Sequence, residues 1–123
     1  KIVRIAAEKI TDETLMQLEE NIKLMEITGR DISYYVDKDT EFHDMILKST
    51  ESLVFEIMLS SVNELLRESR KATLRGGGIE RACKAHLEIF NALKAHDPDL
   101  SEKQMQQHLK NAEEDLKASG NSI

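Results

Sequence analysis

Apolar residues return every three or four positions along most of the chain, and the single proline, Pro98, stands where a helix would begin rather than inside one. That period is the mark of amphipathic helices, because strands alternate with period two. The stripes run through Ile2, Ile5, Ala6 and Ile10, through Leu15, Leu18, Ile22 and Met25, and through Val54, Ile57, Met58, Ser61 and Leu65. A last one holds Met105, Leu109, Ala112 and Leu116. Composition agrees, with 40% apolar and 33% charged residues and no Trp. A sandwich or barrel would need frequent turn signals and β-branched runs, and neither occurs. The expected fold is all-α, an antiparallel bundle of about six or seven helices. At 123 residues the chain is long enough for one domain whose core needs no staple.

Helix ends are written in the polar residues between the stripes. Thr11 or Asp12 caps the second helix and Gly29 ends it, while Asp31 or Ser33 caps a third that runs to about Lys48. Ser49, Thr50 and Ser52 break the chain before a long fourth helix that ends in the basic stretch from Arg67 to Lys71. Arg75-Gly76-Gly77-Gly78 reads as a loop. A fifth helix spans about 79 to 95, and Asp97 with Pro98 starts a sixth that reaches about Ala118, leaving a frayed tail.

Charge and cysteine content narrow the function classes. With 17 Lys+Arg against 23 Asp+Glu the chain carries a net charge of −6, and no basic stripe offsets it, so it is not expected to grip nucleic acid by itself. Cys83 is alone, which precludes an internal disulfide and points to the cytoplasm. No run approaches the roughly 20 apolar residues that span a bilayer, so no membrane association is expected. The start KIVRIAAEKI has no signal-like segment and no initiator Met, and reads as a piece of a longer protein.

Four polar residues interrupt the inner stripes. On the third helix Asp39 and His43 lie one turn apart among Val36, Phe42, Ile46 and Leu47. Spacing i, i+4 puts both on one face, as two ligands offered to one ion require. His86 sits among Ala82, Ile89 and Leu93, and His108 follows Met105 by three residues. A buried polar group without a partner costs a few kcal/mol, and four at separate sites would weigh heavily on a small domain. Convergence on one divalent metal removes that cost. Pairing within the core, with Asp39 and His43 as an i, i+4 pair, is the plainer alternative. His96, at a helix end beside Asp97, is expected to meet terminal carbonyls.

A catalytic zinc would also use such ligands, but hydrolysis wants a further base near the bound water. Glu41 and Glu88 point away from the inner stripes, and no nucleophile elbow or phosphate-binding loop is present; Gly76-Gly77-Gly78 follows a helix, not a strand. Cys83, beside the buried face, is expected to fill core space, with a soft ligand as the lesser reading.

Asp39-Thr40-Glu41-Phe42-His43, then His86-Leu87-Glu88-Ile89-Phe90-Asn91-Ala92-Leu93 with Asp97, then Met105-Gln106-Gln107-His108-Leu109 resemble the FCD domain (FadR C-terminal domain) of GntR-type bacterial transcription regulators. The shared signature is D-x-x-F-H, H-x-x-I-x-x-A-[IL] followed by Asp, and M-x-x-H-L, with the last two histidines 22 residues apart. Ala6-Ala7 followed by Thr11 also resembles the family's first helix junction. One departure lies after the third helix, where the family's frequent Ser-Gly-Asn-Pro is Ser49-Thr50-Glu51-Ser52 here.

The resemblance covers nearly the whole chain, 1–123, and implies a helical bundle holding one divalent metal through Asp39, His43, His86 and His108. Zinc or nickel is the first expectation, with manganese or iron next, since imidazole and carboxylate suit all of them. It further implies a small organic-acid or sugar-acid effector, a homodimer, and DNA contact only through an N-terminal winged helix-turn-helix domain outside this chain. Such a domain is not an enzyme. The presence of the histidines points to the metal-containing branch rather than the fatty acyl-CoA responsive one. Arg4, Arg67, Arg70, Arg75 and Arg81 are effector-contact candidates on charge alone. The competing readings are a bundle with a purely structural metal serving dimerisation, and a small metalloenzyme.

Overall fold

The computed structural model describes residues 2–27, 31–58, 67, 71 and 79–118, the side chains of 112 and 115–118 excepted. Among these residues every regular element is helical: α1 (Ile2–Lys9), α2 (Asp12–Ile27), α3 (Ile32–Lys48), α4 (described over 53–58), α5 (Ile79–Lys94) and α6 (Pro98–Ala118). The expected all-α bundle is the observed fold. No helix among the described residues is long and apolar enough to cross a membrane.

The caps form as the polar residues dictate. The hydroxyl of Thr11 accepts the N–H of Thr14 at 3.2 Å, and the carboxylate of Asp31 accepts that of Tyr34 at 3.0 Å, so Asp31 rather than Ser33 opens α3. The Ser52 hydroxyl accepts the N–H of Phe55 at 3.3 Å and starts α4. Gly29, the glycines 76–78 and the tail 119–123 lie outside the described residues.

Between α5 and α6 the chain turns within three residues. His96 takes a left-handed φ of 52°, its N–H bonds to Leu93 O at 2.9 Å, and Asp97 N–H bonds back to Ala92 O at 3.1 Å. These two bonds close α5 in a Schellman turn. Asp97 then accepts the N–H of Leu100 at 3.0 Å, and Pro98 occupies the first helical position, where no N–H is needed. α5 therefore folds back on α6, as α2 does on α3, and α2 also packs on α5. α1 lies against α3, α5 and α6.

One apolar cluster joins these helices. It contains Val3, Ala6, Ala7 and Ile10 from α1 and the residue after it, and Leu15, Leu18, Ile22 and Met25 from α2. Tyr35, Val36, Phe42 and Ile46 come from α3, and Cys83, Ile89, Phe90 and Leu93 from α5. Cys83 is core filling, as expected.

Two stripes differ from expectation. Val54, Ile57 and Met58 are 64%, 63% and 62% exposed, so the described part of α4 turns its apolar side outward; Ser61 and Leu65 lie outside the described residues. Periodicity states which residues share a face, not what that face meets. On α6 Leu109 is 57% exposed, while Ser101 and His108 are buried. The inward line runs i, i+4, i+7 through buried Ser101, half-buried Met105 and buried His108, and α6 is rotated so that the imidazole, not the leucine, faces inward.

Candidate metal centre

α3 contributes two side chains to the bundle interior, α5 one and α6 one. Asp39 and His43 meet across one helical turn, with His43 Nε2 3.5 Å from Asp39 Oδ1. His86, with no exposed surface, reaches the same oxygen at 3.0 Å from α5. His108 Nε2 lies 3.2 Å from His86 Nε2. One potential ligand atom from each of the four falls within 4.8 Å of all the others. The structure thus brings together all four residues singled out from the sequence.

Ligand bonds of about 2.0–2.2 Å separate neighbouring donors by about 3–3.5 Å, and the three closest contacts fall in that window. Proton positions sharpen the argument. An imidazole nitrogen has one outward position, either a proton or a lone pair. His86 Nε2 faces both Asp39 Oδ1 and His108 Nε2. A single proton serves the two only as a weak three-centre bond, whereas a cation between them satisfies both. The chemistry of the set, one carboxylate and three imidazoles, fits a borderline divalent ion.

Aromatic packing fixes the rings. Phe42 stacks on His86 with centroids 4.1 Å apart and planes parallel, and meets His43 edge-on at 5.5 Å. His43 and His108 are near parallel at 5.6 Å. Phe42, next to His43 in the sequence, therefore packs against two of the four candidate ligands; the sequence marked it as buried and as part of the D-x-x-F-H signature. Tyr35, one turn before Asp39 and fully buried, has its hydroxyl 3.9 Å from Cys83 Sγ. Burial, and then the Asp39 charge and Cys83, push its phenol far above the ordinary value, so it stays protonated.

Electrostatics favour an ionised carboxylate. Burial alone would raise the Asp39 carboxyl, but hydrogen bonds from His43 and His86 and their charges outweigh it and hold the group well below the usual range.

The other candidates separate. Arg4 pairs with Asp99 at 2.7 Å and Glu102 at 3.4 Å, and Arg67 pairs with Asp37. Arg81 is exposed on α5, and Arg70 and Arg75 lie outside the described residues. Glu41 and Glu88 are exposed, as expected. His96 Nδ1 lies 2.9 Å from Ala7 O, a carbonyl in the last turn of α1. The expected contact with a terminal carbonyl forms, on a neighbouring helix. At the departure from the family pattern, Glu51 adopts φ 58°, a left-handed conformation that Asn tolerates better than Glu.

The family model described as the FCD domain matches residues 1–111, and the chain belongs to that family of GntR-type regulator domains. It is 29% identical over 111 residues to the HTH-type transcriptional repressor NanR of Edwardsiella tarda, covering 88% of this chain and 43% of the relative. It is 34% identical over 111 residues to the HTH-type transcriptional regulator YcbG of Bacillus subtilis, covering 89% and 46%. The galactonate operon transcriptional repressor of Escherichia coli is 25% identical over 103 residues, covering 82% and 45%. The chain spans less than half the length of these relatives. Family and relatives alike point to a regulator domain rather than an enzyme.

Proposed function

We propose that this chain is the effector-sensing and dimerisation domain of a cytoplasmic GntR-type transcription regulator, in which Asp39, His43, His86 and His108 hold one divalent ion. The observation that carries the reading is the convergence of four donor atoms from three helices within 4.8 Å, inside a chain of the FCD family. Zinc or nickel fits the donor set best, with manganese or iron next. A divalent ion held there supplies a Lewis-acidic position for an anionic ligand. The effector class is a small organic or sugar acid. That a relative represses a galactonate operon, galactonate being a sugar acid, supports this class.

The residues themselves do the coupling. Because the four donors sit on α3, α5 and α6, a ligand drawn to them biases how these three helices pack. Only differential affinity for two packings shifts their balance, and a coupling of about 1–3 kcal/mol, 5- to 150-fold, suffices to change DNA binding. DNA contact belongs to an N-terminal winged helix-turn-helix domain, and the regulator acts as a two-fold homodimer on a palindromic site. The partial exposure of His43, at 15% of its side chain, favours a centre open on one side over a closed structural staple.

The test is metal content per chain in the wild type, Asp39→Ala and His108→Ala, followed by thermal shift with a panel of organic and sugar acids. About one ion per wild-type chain, lost in both variants, and a further rise in melting temperature with one acid class are expected. Wild-type protein that takes up no ion from added zinc or nickel refutes the centre, and a metal-loaded domain indifferent to every acid leaves a staple.

A further inference from the structure

Outside the centre, two polar contacts that join distant parts of the chain converge on α1. Arg4 reaches Asp99 at 2.7 Å and Glu102 at 3.4 Å, both in the first turns of α6. His96, in the corner between α5 and α6, meets Ala7 O at 2.9 Å. Since a carbonyl only accepts, Nδ1 of His96 carries the proton. Ala7 O belongs to the last turn of α1, whose carbonyls have no partner within their own helix.

These contacts matter because of what lies between them. α1 packs on α3, α5 and α6, the three helices that carry Asp39, His43, His86 and His108. Its inner face is Val3, Ala6, Ala7 and Ile10, all buried, with both alanines fully so. Two methyl groups make a smooth surface with little to interlock, so apolar contact here only weakly fixes where α1 sits along its axis. Arg4 and Ala7, nearly one turn apart, supply directional contacts that do.

The corner to which they attach is itself closed on both sides. The Schellman bonds of His96 and Asp97 end α5, and the Asp97 cap begins α6. His86 lies ten residues before His96 and His108 twelve after it, one on each helix leaving the corner. A change in the packing of α5 against α6 therefore moves the two groups that hold α1.

We propose that Arg4 and His96 form a clamp that makes α1 follow the α5–α6 corner, so that loading the metal centre orders α1 and passes the change to the chain preceding it. The inference rests on the reading that the centre takes a divalent ion and that the domain is part of a longer regulator.

The experiment uses this chain with Zn2+ as the probe and compares wild type with Arg4→Gln/His96→Asn. Asn keeps a residue tolerant of the left-handed turn but is too short to reproduce the ring contact, and Gln keeps part of the arginine stem. Neither position is a ligand, so zinc affinity by titration should stay within about threefold. Amide hydrogen exchange then reads α1 and α5 separately. Zinc should slow exchange across Ala6–Ile10 about tenfold in the wild type and less than about twofold in the double variant, with slowing in α5 retained in both. Arg4→Gln alone, the milder change, should give an intermediate value. Equal zinc-dependent slowing of α1 in wild type and double variant overturns the clamp while leaving the metal reading intact. Absence of zinc uptake by the wild type overturns both, and the titration distinguishes that case before any exchange is measured.

Discussion

Asp39→Asn changes the centre with the least disturbance of shape, and its effect can be worked out in advance. The carboxylate is the only anionic donor of the four and the oxygen on which His43 and His86 converge, at 3.5 and 3.0 Å. The amide keeps the volume, so no cavity opens. It removes the charge and turns an NH2 toward one of the imidazole nitrogens. In the metal-free protein the change exchanges charge-assisted hydrogen bonds for neutral ones, a loss of about 1–2 kcal/mol. In the loaded protein the consequence is larger. With metal at about 100 times the wild-type Kd, binding stabilises the fold by about 2.7 kcal/mol. For a chain of this size that is a rise in Tm of about 8–14 °C. If the lost anionic ligand weakens binding about 100-fold, the same concentration supplies RT ln 2, about 0.4 kcal/mol, and a rise of about 1–2 °C. The assay is thermal unfolding of both proteins at matched free zinc, with a chelator-treated baseline for each. An Asp39→Asn protein whose metal-dependent rise equals that of the wild type refutes the assignment of Asp39 as a ligand. A wild type with no rise at any zinc concentration refutes the centre.

Acid should destabilise the chelated wild type through the same residue. Because the folded-state Asp39 carboxyl lies below its unfolded value, its contribution is complete above the ordinary carboxylate range, about pH 4, and is lost as pH falls through the folded value. Urea unfolding from about pH 5 downward should show a steeper decline for wild type than for Asp39→Asn, and parallel profiles would contradict the shift. Phe42→Leu should lower zinc affinity up to about tenfold while the variant stays folded by circular dichroism, because the ring that aligns His86 and His43 is gone. Unchanged affinity would mean that the rings are held by the backbone alone. Glu51→Asn should raise Tm by a few degrees, since relief of a left-handed glutamate is worth about 0.5–1 kcal/mol and the Lys9–Glu51 pair lost with it is exposed, at 3.8 Å. A lower Tm would show that Glu51 has a role beyond the turn.

Much of this protein is determined locally. The stripes on α2 and α3, the caps at Thr11 and Asp31, and the Asp97-Pro98 start of α6 follow from side-chain spacing and from hydrogen bonds spanning three residues, and such interactions are complete within the segment that encodes them. The four polar residues were legible for the same reason, as misfits on apolar faces. Their convergence was an inference from the sequence, aided by resemblance, because residues 39, 86 and 108 meet only when three helices pack. Tertiary structure alone decided the rest: that Leu109, expected on the inner stripe of α6, turns outward, that Phe42 lies flat against His86, and that His96 bonds to α1 rather than to its own helix. Helical periodicity specifies a face to within one residue, and which neighbour wins depends on what stands opposite. For α6 that is His86 and His43, brought there by helices whose own positions no local pattern encodes.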